Sequence, residues 1–329
     1  MARNSTDFKA VVLAGGSGER FWPLSTPQRP KQFLSVFGSS SLIRQSVERL
    51  EGLIKKEDVF IVTSRDLVDA TRAELPEIPP GNIIGEPMRR DTGAAVALGV
   101  GLAGDGVVGF FSSDQLVAKP EAFREAVAKA IEIARSAPKI VTIGIKPDSP
   151  STLFGYIDPA TKKFIEKPNA EYAKKYVESG YLWNAGMFIA EAGTFRAAFA
   201  EHAPRLAPLA SPETLREADL DAIYAALPRI SFDFAVMEKF PAVDVVPGDF
   251  GWDDVGSYLA FDKYFPHDGD GNIALGAMKA VDSAGNIAVA KGARISLVGV
   301  KNLVVVTTGD DVLVADKASL SSIKKLFAK

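Results

Sequence analysis

VVLAGGSGERFWPLSTPQRPKQFL, from Val11 to Leu34, is the most informative stretch of this chain. The apolar run Ala10–Leu13 at its start predicts a buried strand. The strand is followed by the glycine-rich run GGSG (15–18), and glycines there let backbone N–H groups approach an anion closely. Arg20 and Lys31 follow and add positive charge. The pattern predicts a loop that binds phosphate.

Two better-known phosphate loops do not fit this stretch. The dinucleotide-binding fingerprint needs a third glycine three residues after Gly18, where Phe21 stands, which disfavours a Rossmann dehydrogenase. The P-loop needs a Gly-Lys-Ser/Thr ending, which is absent. Taken alone, the glycines also fit an ordinary surface turn.

Composition excludes several classes of protein. A length of 329 residues allows one large domain and a smaller one. The net charge of −3 gives no sign of the basic stripe that nucleic-acid binding requires. The chain has no cysteine, which rules out disulfides and thiolate catalysis. Without a membrane-length apolar run or a signal sequence, we expect a cytoplasmic protein with no membrane partner.

Strand-like and helix-like segments alternate from Phe8 to about Tyr264. This alternation predicts an α/β fold with a mostly parallel, Rossmann-like sheet flanked by helices. Ligands bind beyond the carboxyl ends of the strands in such sheets, where both the glycine loop and the segment Ser112–Asp114 lie. The predicted strands include Val59–Thr63, Val107–Ser112 and Ile140–Ile145, and the predicted helices include Leu42–Leu50 and Glu121–Ala134.

The tail has a different pattern. After the turn-rich stretch Pro266–Gly271, short β-branched runs (NIAVA, ISLVGV, NLVVVTT, DVLVA) are separated by Gly, Asn and Asp. They predict a small β-rich unit, followed by a terminal helix over Leu320–Phe327. We therefore predict two domains, residues 1–268 and 269–329.

Two aspartates far apart in the chain are candidate metal ligands. Asp114 follows an apolar strand, and Asp254 lies in GDFGWDDVGSY beside Asp253. Each alone is compatible with a turn or a helix cap. Two carboxylates beside a phosphate loop also suit Mg²⁺, which takes its remaining ligands from phosphates and water.

The run GGSGERFWPLSTPQRPK resembles the signature loop of the sugar-1-phosphate nucleotidyltransferases. The run Ser231–Glu238 (SFDFAVME), together with FGWDDVGSY, resembles the mannose-1-phosphate guanylyltransferase branch. This resemblance implies the nucleotidyltransferase fold with a left-handed β-helix-like C-terminal domain. It also implies transfer of GMP from GTP to α-D-mannose 1-phosphate, giving GDP-mannose and pyrophosphate.

On the nucleotide side, the resemblance implies catalytic roles for Arg20, Lys31, Asp114 and Asp254, with Mg²⁺ on the two aspartates. Gln115 stands where related guanylyltransferases often have histidine, but the carboxylate before it is kept. Either Asp91 or Thr92 is expected to cap the following helix. The residues expected to bind nucleotide are Leu13, Ala14, Gly15, Gly16, Gly18, Glu86, Arg90, Thr92 and Ser113.

On the sugar side, three segments match the family motifs: FGYI from Phe154, FIEKP from Phe164 and WNAGMF from Trp183. The glutamate and the asparagine are expected to bind hydroxyls, and the lysine the sugar's phosphate. The resemblance also suggests a homodimer. The residues expected to bind the sugar phosphate are Gly155, Tyr156, Glu166, Lys167, Asn184 and Gly186.

Two alternatives stay open at this point. One is a pyrophosphorylase for another pair of sugar 1-phosphate and nucleoside triphosphate. The other is a non-catalytic homologue that binds nucleotide sugars and regulates a partner. Such a homologue would be expected to lack Arg20 or the two aspartates, and all three are present.

Overall fold

The computed structural model describes residues 7–16, 18–217 and 219–327, and Ser17 of the glycine loop lies outside them. Its strands are β1 (Phe8–Ala14), β2 (Val59–Ser64), β3 (Ile83–Glu86), β4 (Val107–Ser112), β5 (Leu116–Val117), β6 (Ile140–Ile145), β7 (Tyr156–Ile157), β8 (Phe164–Ile165), β9 (Leu182–Glu191), β10 (Val243–Gly248), β11 (Trp252–Asp253), β12 (Ile273–Val281), β13 (Ile287–Val298), β14 (Leu303–Thr308) and β15 (Asp311–Asp316).

The α-helices are α1 (Leu42–Glu48), α2 (Val68–Glu74), α3 (Asp91–Ala103), α4 (Pro120–Ser136), α5 (Ala170–Glu178), α6 (Ala192–His202), α7 (Pro212–Glu217), α8 (Leu220–Ala226) and α9 (Phe261–Tyr264). Tighter 3₁₀ turns cover Glu19–Phe21, Lys31–Phe33, Lys56–Asp58, Arg65–Leu67, Pro80–Asn82, Ala207–Ala210, Tyr258–Ala260 and Lys317–Phe327, and Asp233–Met237 forms a π-helical turn.

The central sheet has the strand order β10-β6-β9-β4-β1-β2-β3, with the short β7 and β8 attached beside β9. The pairs β1–β2, β1–β4, β2–β3 and β6–β10 are parallel, and β9 runs antiparallel to both β4 and β6. The predicted α/β class with a mostly parallel sheet flanked by helices is confirmed. β6 is buried along its whole length, as expected for a strand covered on both faces.

The predicted elements match the structure to within a few residues. Helix α4 extends the predicted Glu121–Ala134 by a residue or two at each end, because Pro120 suits the first helical turn. The antiparallel β9 was not predicted, because an apolar run does not show the direction in which it pairs.

The described chain forms two compact units. The first contains the residues up to Gly15 together with Arg44–Trp252, and its core lies around the central sheet. Phe232 is fully buried there and packs edge-on against Phe188, with ring centroids 5.0 Å apart.

The second unit contains Gly16–Ile43 together with the chain from Asp253 onward, and it has its own core. Phe21, which follows the glycine loop, packs there against Tyr258 with ring centroids 5.2 Å apart. The Tyr258 hydroxyl donates a 2.8 Å hydrogen bond to the Phe21 carbonyl. These units divide the chain by packing, and the domains 1–268 and 269–329 stay a prediction from sequence pattern.

The β-rich tail is confirmed and forms a sheet in the order β12-β13-β14-β15. Its first three strands are parallel, and β15 returns antiparallel. The runs NIAVA and ISLVGV, expected as separate strands, both contribute to β13, which continues through Gly292 at a positive φ of 78°. The terminal helix forms as a 3₁₀ helix that starts at Lys317.

Buried asparagines cross-link the parallel strands of the tail. Asn286 is fully buried, and its amide nitrogen donates to the Asn272 side chain at 2.9 Å and to the Val300 carbonyl at 3.1 Å. Its side-chain oxygen accepts a hydrogen bond from the Leu303 N–H at 2.9 Å. One amide thus links the Asn272 side chain, just before β12, to the backbone at the start of β14.

Asn286→Ala is expected to lower the free energy of unfolding by about 2 kcal/mol or more, because it leaves several buried polar groups unpaired at about 1–3 kcal/mol each. Chemical denaturation monitored by circular dichroism measures this loss. Ser296→Ala, at an exposed position of β13, the strand that begins directly after Asn286, is the control and should change stability by less than about 0.5 kcal/mol. Equal losses in the two variants would contradict the role of the asparagine network.

Candidate active site

The carboxyl ends of β1 and β4 lie side by side in the first unit. Leu13 is in register with Ser112, and the Ser113 N–H donates a 3.1 Å hydrogen bond to the Leu13 carbonyl. The Thr63 hydroxyl donates a 3.0 Å bond to the Ala14 carbonyl. The end of the first strand and the Ser113–Asp114 segment are therefore held at one edge of the sheet, as predicted.

Asp114 lies at this edge with one carboxylate oxygen held in place. The Ser112 hydroxyl donates a 2.6 Å hydrogen bond to its Oδ1 atom. The next residue, Gln115, is buried, and its amide donates a 3.0 Å bond to the Ala185 carbonyl. The candidate metal ligand is thus linked by one residue to the segment that carries Asn184 and Gly186.

Glu86 ends β3 at the same edge. A Cβ placed on Gly15 would lie 3.5 Å from Glu86 Oε2, so the glycine loop begins next to this carboxyl. The Tyr224 hydroxyl donates a 3.1 Å hydrogen bond to Oε1. Burial raises the pKa of Glu86 to about 7, repulsion from Asp91 adds to the rise, and the Tyr224 hydrogen bond opposes it. Glu86 is therefore a buried acid that changes charge near neutral pH.

The expected sugar side is organised by Asn184 in β9. Its side-chain oxygen accepts hydrogen bonds from the Thr142 hydroxyl at 2.9 Å and from the Gly186 N–H at 3.1 Å. Its amide nitrogen donates to Asp233 Oδ1 at 3.0 Å, and its backbone N–H donates to the Gly155 carbonyl at 2.8 Å. These bonds set the orientation of the amide group.

Glu166 and Lys167 lie beside this amide. The Glu166 side chain is buried, whereas that of Lys167 is half-exposed, and the Lys167 Nζ atom is 2.6 Å from Glu166 Oε1. A Cβ on Gly155 would lie only 2.6 Å from Glu166 Oε2, so a side chain here would displace the Glu166 carboxylate. Burial lowers the pKa of Lys167, but its hydrogen bond and attraction to Glu166 outweigh burial, and the net shift is upward. The lysine stays charged and reachable by an anion.

Asp233 joins this group although the sequence did not single it out as a site residue. It begins the π-helical turn and accepts the hydrogen bond from the Asn184 amide. Burial and repulsion from Glu166 raise its pKa, although hydrogen bonds and Lys167 oppose the shift. The available signal was the run SFDFAVME, which resembles the mannose-specific branch but also fits a solvated helix start.

Tyr156 has a different role from its neighbours. Its ring is fully buried, and its hydroxyl donates a 2.8 Å hydrogen bond to the Ser151 carbonyl. The ring also packs against Tyr176, with centroids 5.6 Å apart. These contacts give Tyr156 a structural role in the position where the sequence predicted a sugar contact, and that contact stays a prediction.

Arg90 and Thr92 anchor the start of α3. The Arg90 guanidinium donates to the carbonyls of Tyr224 and Ala225, at 2.7 and 3.1 Å. The Thr92 hydroxyl accepts a 2.9 Å bond from the Phe232 N–H. The nucleotide-binding roles of both residues remain predictions beside these structural contacts.

The expected side-chain cap on α3 is wrong. The helix begins after Arg90, which makes no side-chain capping bond. Asp91 lies at a positive φ of 67°, and its carboxylate accepts a 2.8 Å bond from the Thr92 N–H instead. The local Asp91–Thr92 bond competes with the cap.

In the second unit, the end of the signature loop meets the segment that carries Asp254. Lys31 is buried, and its Nζ atom donates a 2.6 Å hydrogen bond to the Asp254 carbonyl. A Cβ on Gly256 would lie 3.4 Å from Asp254 Oδ2 and 3.8 Å from an Arg20 guanidinium nitrogen. Arg20, Lys31 and Asp254 are therefore brought together, as expected of residues that share one function.

Asp253 shapes the turn that presents Asp254. Its Oδ1 atom accepts a 2.7 Å bond from the Val255 N–H. Its Oδ2 atom accepts from Lys263 at 2.7 Å and from the Tyr264 hydroxyl at 2.9 Å. Both oxygens of Asp253 are engaged in these contacts, which fix the turn that carries Asp254.

Comparisons with known proteins agree with these segments. Residues 9–270 match the nucleotidyl transferase family, and residues 276–329 match a MannoseP isomerase/GMP-like β-helix domain. The chain belongs to the nucleotidyl transferase family.

Individual members of that family align along almost the whole chain. The Salmonella typhimurium protein named mannose-1-phosphate guanylyltransferase ManC is 35% identical over 100% of this chain and 74% of its own length. A mannose-1-phosphate guanylyltransferase of Escherichia coli K12 is 35% identical over 96% of this chain and 72% of its own. A Thermus thermophilus structure described as a mannose-1-phosphate geranyltransferase superposes with a TM-score of 0.89 and 35% identity over 98% of both chains.

The donor chemistry of this nucleotidyl transferase suits a hard divalent cation. Within residues 7–16, 18–217 and 219–327, no three His, Asp or Glu side chains cluster to hold a metal ion. Mg²⁺ commonly takes one or two carboxylates and completes its shell with substrate phosphates and water. The Asp114 carboxylate, steadied by the Ser112 hydroxyl, is a ligand of this kind.

The described part of the chain contains no helix that is both long and apolar enough to cross a membrane.

The two glycines of the signature loop predict different effects of adding a side chain. Gly18 lies at a positive φ of 64°, and a Cβ there would overlap the backbone of Lys31. Gly18→Ala should therefore reduce the free energy of unfolding by about 1 kcal/mol or more. Urea denaturation, monitored by tryptophan fluorescence, measures this reduction in the free energy of unfolding.

Gly16→Ala is the matched control, because within the described part of the chain no neighbouring atom lies within 4 Å of the added Cβ. It should leave the free energy of unfolding within about 0.5 kcal/mol of the unchanged protein. A loss at Gly16 as large as that at Gly18 would show that the packing of Gly18 on Lys31 is not the reason for the glycine.

Proposed function

We propose that this chain is a mannose-1-phosphate guanylyltransferase that converts GTP and α-D-mannose 1-phosphate into GDP-mannose and pyrophosphate. The observation that carries the proposal is the hydrogen bond from the Gln115 amide to the Ala185 carbonyl. Gln115 directly follows Asp114 in the chain, and Ala185 directly follows Asn184. This bond ties the carboxylate expected on the nucleotide side to the group expected to bind the sugar. The identity of the substrates is supported by the names of the Salmonella and E. coli relatives.

The reaction needs positioning more than acid–base chemistry. An oxygen of the sugar's phosphate attacks the α-phosphorus of GTP, a new P–O bond forms, and the bond to the β-phosphate bridge breaks with release of pyrophosphate. The attacking oxygen is already an anion, so no general base has to remove a proton. The main barriers are repulsion between two polyanions and their alignment, which fixed positive groups and hydrogen-bond donors reduce.

Three cationic side chains are proposed for this task. Arg20 stabilises the departing pyrophosphate, Lys31 the triphosphate, and Lys167 the attacking phosphate. The half-exposed Lys167 ammonium, held by the buried Glu166 carboxylate, supports the last assignment. The bond from Lys31 to the Asp254 carbonyl adds a second role for Lys31, since it also holds the turn that carries a proposed metal ligand.

Asp114 and Asp254 are proposed to hold Mg²⁺, which when bound supplies positive charge to the phosphate oxygens. Neighbouring groups support both positions: the Ser112 hydroxyl binds the Asp114 carboxylate, and Asp253 and Lys31 hold the backbone of the turn that carries Asp254. Such support fixes the direction of a ligand and strengthens metal binding.

Glu86 is proposed to read the guanine base. Guanine presents two adjacent donors, N1–H and the N2 amino group, and an ionised carboxylate accepts from both. Glu86 lies next to Gly15, and the bond from Tyr224 fixes one of its oxygens. Adenine has a ring nitrogen acceptor in the place of N1–H, so an ionised Glu86 would disfavour ATP.

The pKa of Glu86 predicts how GTP binding depends on pH. With a pKa of about 7, the accepting carboxylate becomes more populated as pH rises, so KM for GTP should fall by roughly tenfold between pH 6 and pH 8. Tyr224→Phe removes a hydrogen bond that lowers this pKa, so the midpoint of the fall should move to higher pH. Steady-state kinetics at fixed mannose 1-phosphate measures both effects.

Glu86→Gln is the control for this profile, because it removes the titrating group while GTP's own phosphate ionisation stays the same. It should bind GTP more weakly and lose most of the pH dependence. A Glu86→Gln profile parallel to that of the unchanged enzyme would contradict the proposed contact.

Lys167→Ala should raise KM for mannose 1-phosphate by at least about tenfold while KM for GTP changes little, because it removes a charge-assisted contact to one substrate. Initial rates with each substrate varied in turn separate the two effects. Lys163→Ala, four residues earlier and exposed, is the matched control and should alter neither KM. Equal losses for both substrates at Lys167 would contradict its assignment.

The function itself is tested by measuring pyrophosphate release across a panel of nucleoside triphosphates and sugar 1-phosphates, with the sugar nucleotide identified by mass spectrometry. GTP with mannose 1-phosphate should give the highest kcat/KM, by at least about 10²-fold over other pairs. A different best pair would favour the pyrophosphorylase alternative. Tight binding of GDP-mannose without turnover of any pair would favour the regulatory homologue.

The homodimer and the cytoplasmic location expected from the sequence stay predictions. Analytical ultracentrifugation at micromolar concentration tests the first, and cell fractionation the second.

A further inference from the structure

Arg49 lies behind Asp114 as a buried cation that has no role in the reaction described above. It follows α1 in the first unit, and only 4% of its surface is exposed. Its Nη1 atom donates a 3.1 Å hydrogen bond to the Gln115 carbonyl, and its Nη2 atom a 2.7 Å bond to the Ser112 carbonyl. One guanidinium therefore bridges the two backbone groups that flank Ser113 and Asp114.

This placement is costly for a charged group. Burial lowers the pKa of Arg49 to about 10, and attraction to Asp114 opposes that shift. The two hydrogen-bond partners on this segment are neutral carbonyls, which any buried donor could satisfy. The guanidinium also lies over the ring of Phe123, 5.3 Å from its centroid, which fixes its plane. A neutral donor could make the same hydrogen bonds at a lower desolvation cost, so the charge and the planar shape of Arg49 call for a further explanation.

The geometry of the Arg49 guanidinium explains what this cation can do. Its two nitrogens are rigidly spaced, so the carbonyls of Ser112 and Gln115 are held at a set separation. The Ser112 hydroxyl in turn binds Oδ1 of Asp114 at 2.6 Å. The backbone of this segment and the Asp114 carboxylate are therefore restrained together.

We propose that Arg49 is a positioning residue that holds the Asp114 carboxylate in the orientation needed to bind the divalent cation of the nucleotide complex. The inference rests on the proposed function, in which Asp114 is a metal ligand. Loss of an outer-shell partner of this kind typically weakens metal affinity or activity by about 10–100-fold.

The test uses Arg49→Lys, which keeps the charge but cannot bridge both carbonyls in one plane, and Arg49→Gln, which is neutral. The probe is Mn²⁺, whose binding to the full chain with a non-hydrolysable GTP analogue is followed by electron paramagnetic resonance. Thermal unfolding without metal is recorded for each variant. Both variants are expected to bind Mn²⁺ at least about tenfold more weakly than the unchanged protein.

Arg124→Gln is the matched control. The Arg124 guanidinium reaches the Arg49 carbonyl at 3.5 Å and Glu121 at 2.9 Å, and its described bonds include none to the 112–115 segment. It should leave Mn²⁺ affinity within about twofold. A similar loss in Arg124→Gln would show that general loosening of this region, and not loss of the Arg49 bridge, lowers the affinity for Mn²⁺.

Asp114→Asn separates the failure of this inference from failure of the proposed function. If Asp114→Asn weakens Mn²⁺ binding and a folded Arg49→Lys does not, the role of Arg49 is overturned while the metal ligand stands. If Asp114→Asn binds Mn²⁺ normally, the metal assignment is overturned and the Arg49 proposal with it. Failure of both Arg49 variants to fold would also overturn it, in favour of a purely structural role.

Discussion

The parallel pairing of β1 with β4 is the constraint on which the first unit's chemistry depends. It sets Leu13 beside Ser112, and the bond from Ser113 to Leu13 continues the pairing past the strand end. Because parallel strands end at the same edge, the sheet itself brings the start of the glycine loop and Asp114 together. Glu86 joins them because β3 ends at the same edge, two strands from β1.

The second unit places a different part of the proposed machinery. Phe21 and Leu34, on either side of the proline-rich part of the signature loop, are buried in the core formed with the β-rich tail. This packing positions Arg20 and Lys31, and the bond from Lys31 to the Asp254 carbonyl joins the loop to the acidic turn. Within the second unit, the tail therefore supports a loop that lies far from it in sequence and carries two of the proposed catalytic residues.

Much of the fold, and the placing of several candidate site residues at strand ends, was predictable because it depends on local pattern. Apolar runs predicted β2, β4 and β6 to within a residue, since buried strands of a parallel sheet are almost continuously hydrophobic. The antiparallel direction of β9 was not predictable, because direction is set by which neighbours a strand pairs with. The fusion of two predicted strands into β13 was missed for a related reason, since Gly292 looks like a turn but continues the strand through a positive φ.

The site shows the same division between local and long-range information. The motifs pointed to candidate residues at strand ends and loops, but they did not show what surrounds each one. Asp233 and Arg49 were missed because their roles come from contacts across long stretches of sequence, Asp233 with Asn184 and Arg49 with Ser112. Gly155 was expected to bind the sugar phosphate, and the structure shows that it also leaves room for the Glu166 carboxylate.

The most direct test of this account is the dependence of GDP-mannose formation on Mg²⁺, measured in the unchanged enzyme and in Asp114→Asn and Asp254→Asn. The account predicts no turnover in excess chelator, recovery when Mg²⁺ is restored, and a loss of about 10²-fold or more in each variant at saturating Mg²⁺. Full velocity in chelator, or near-normal kcat in either variant, would contradict it.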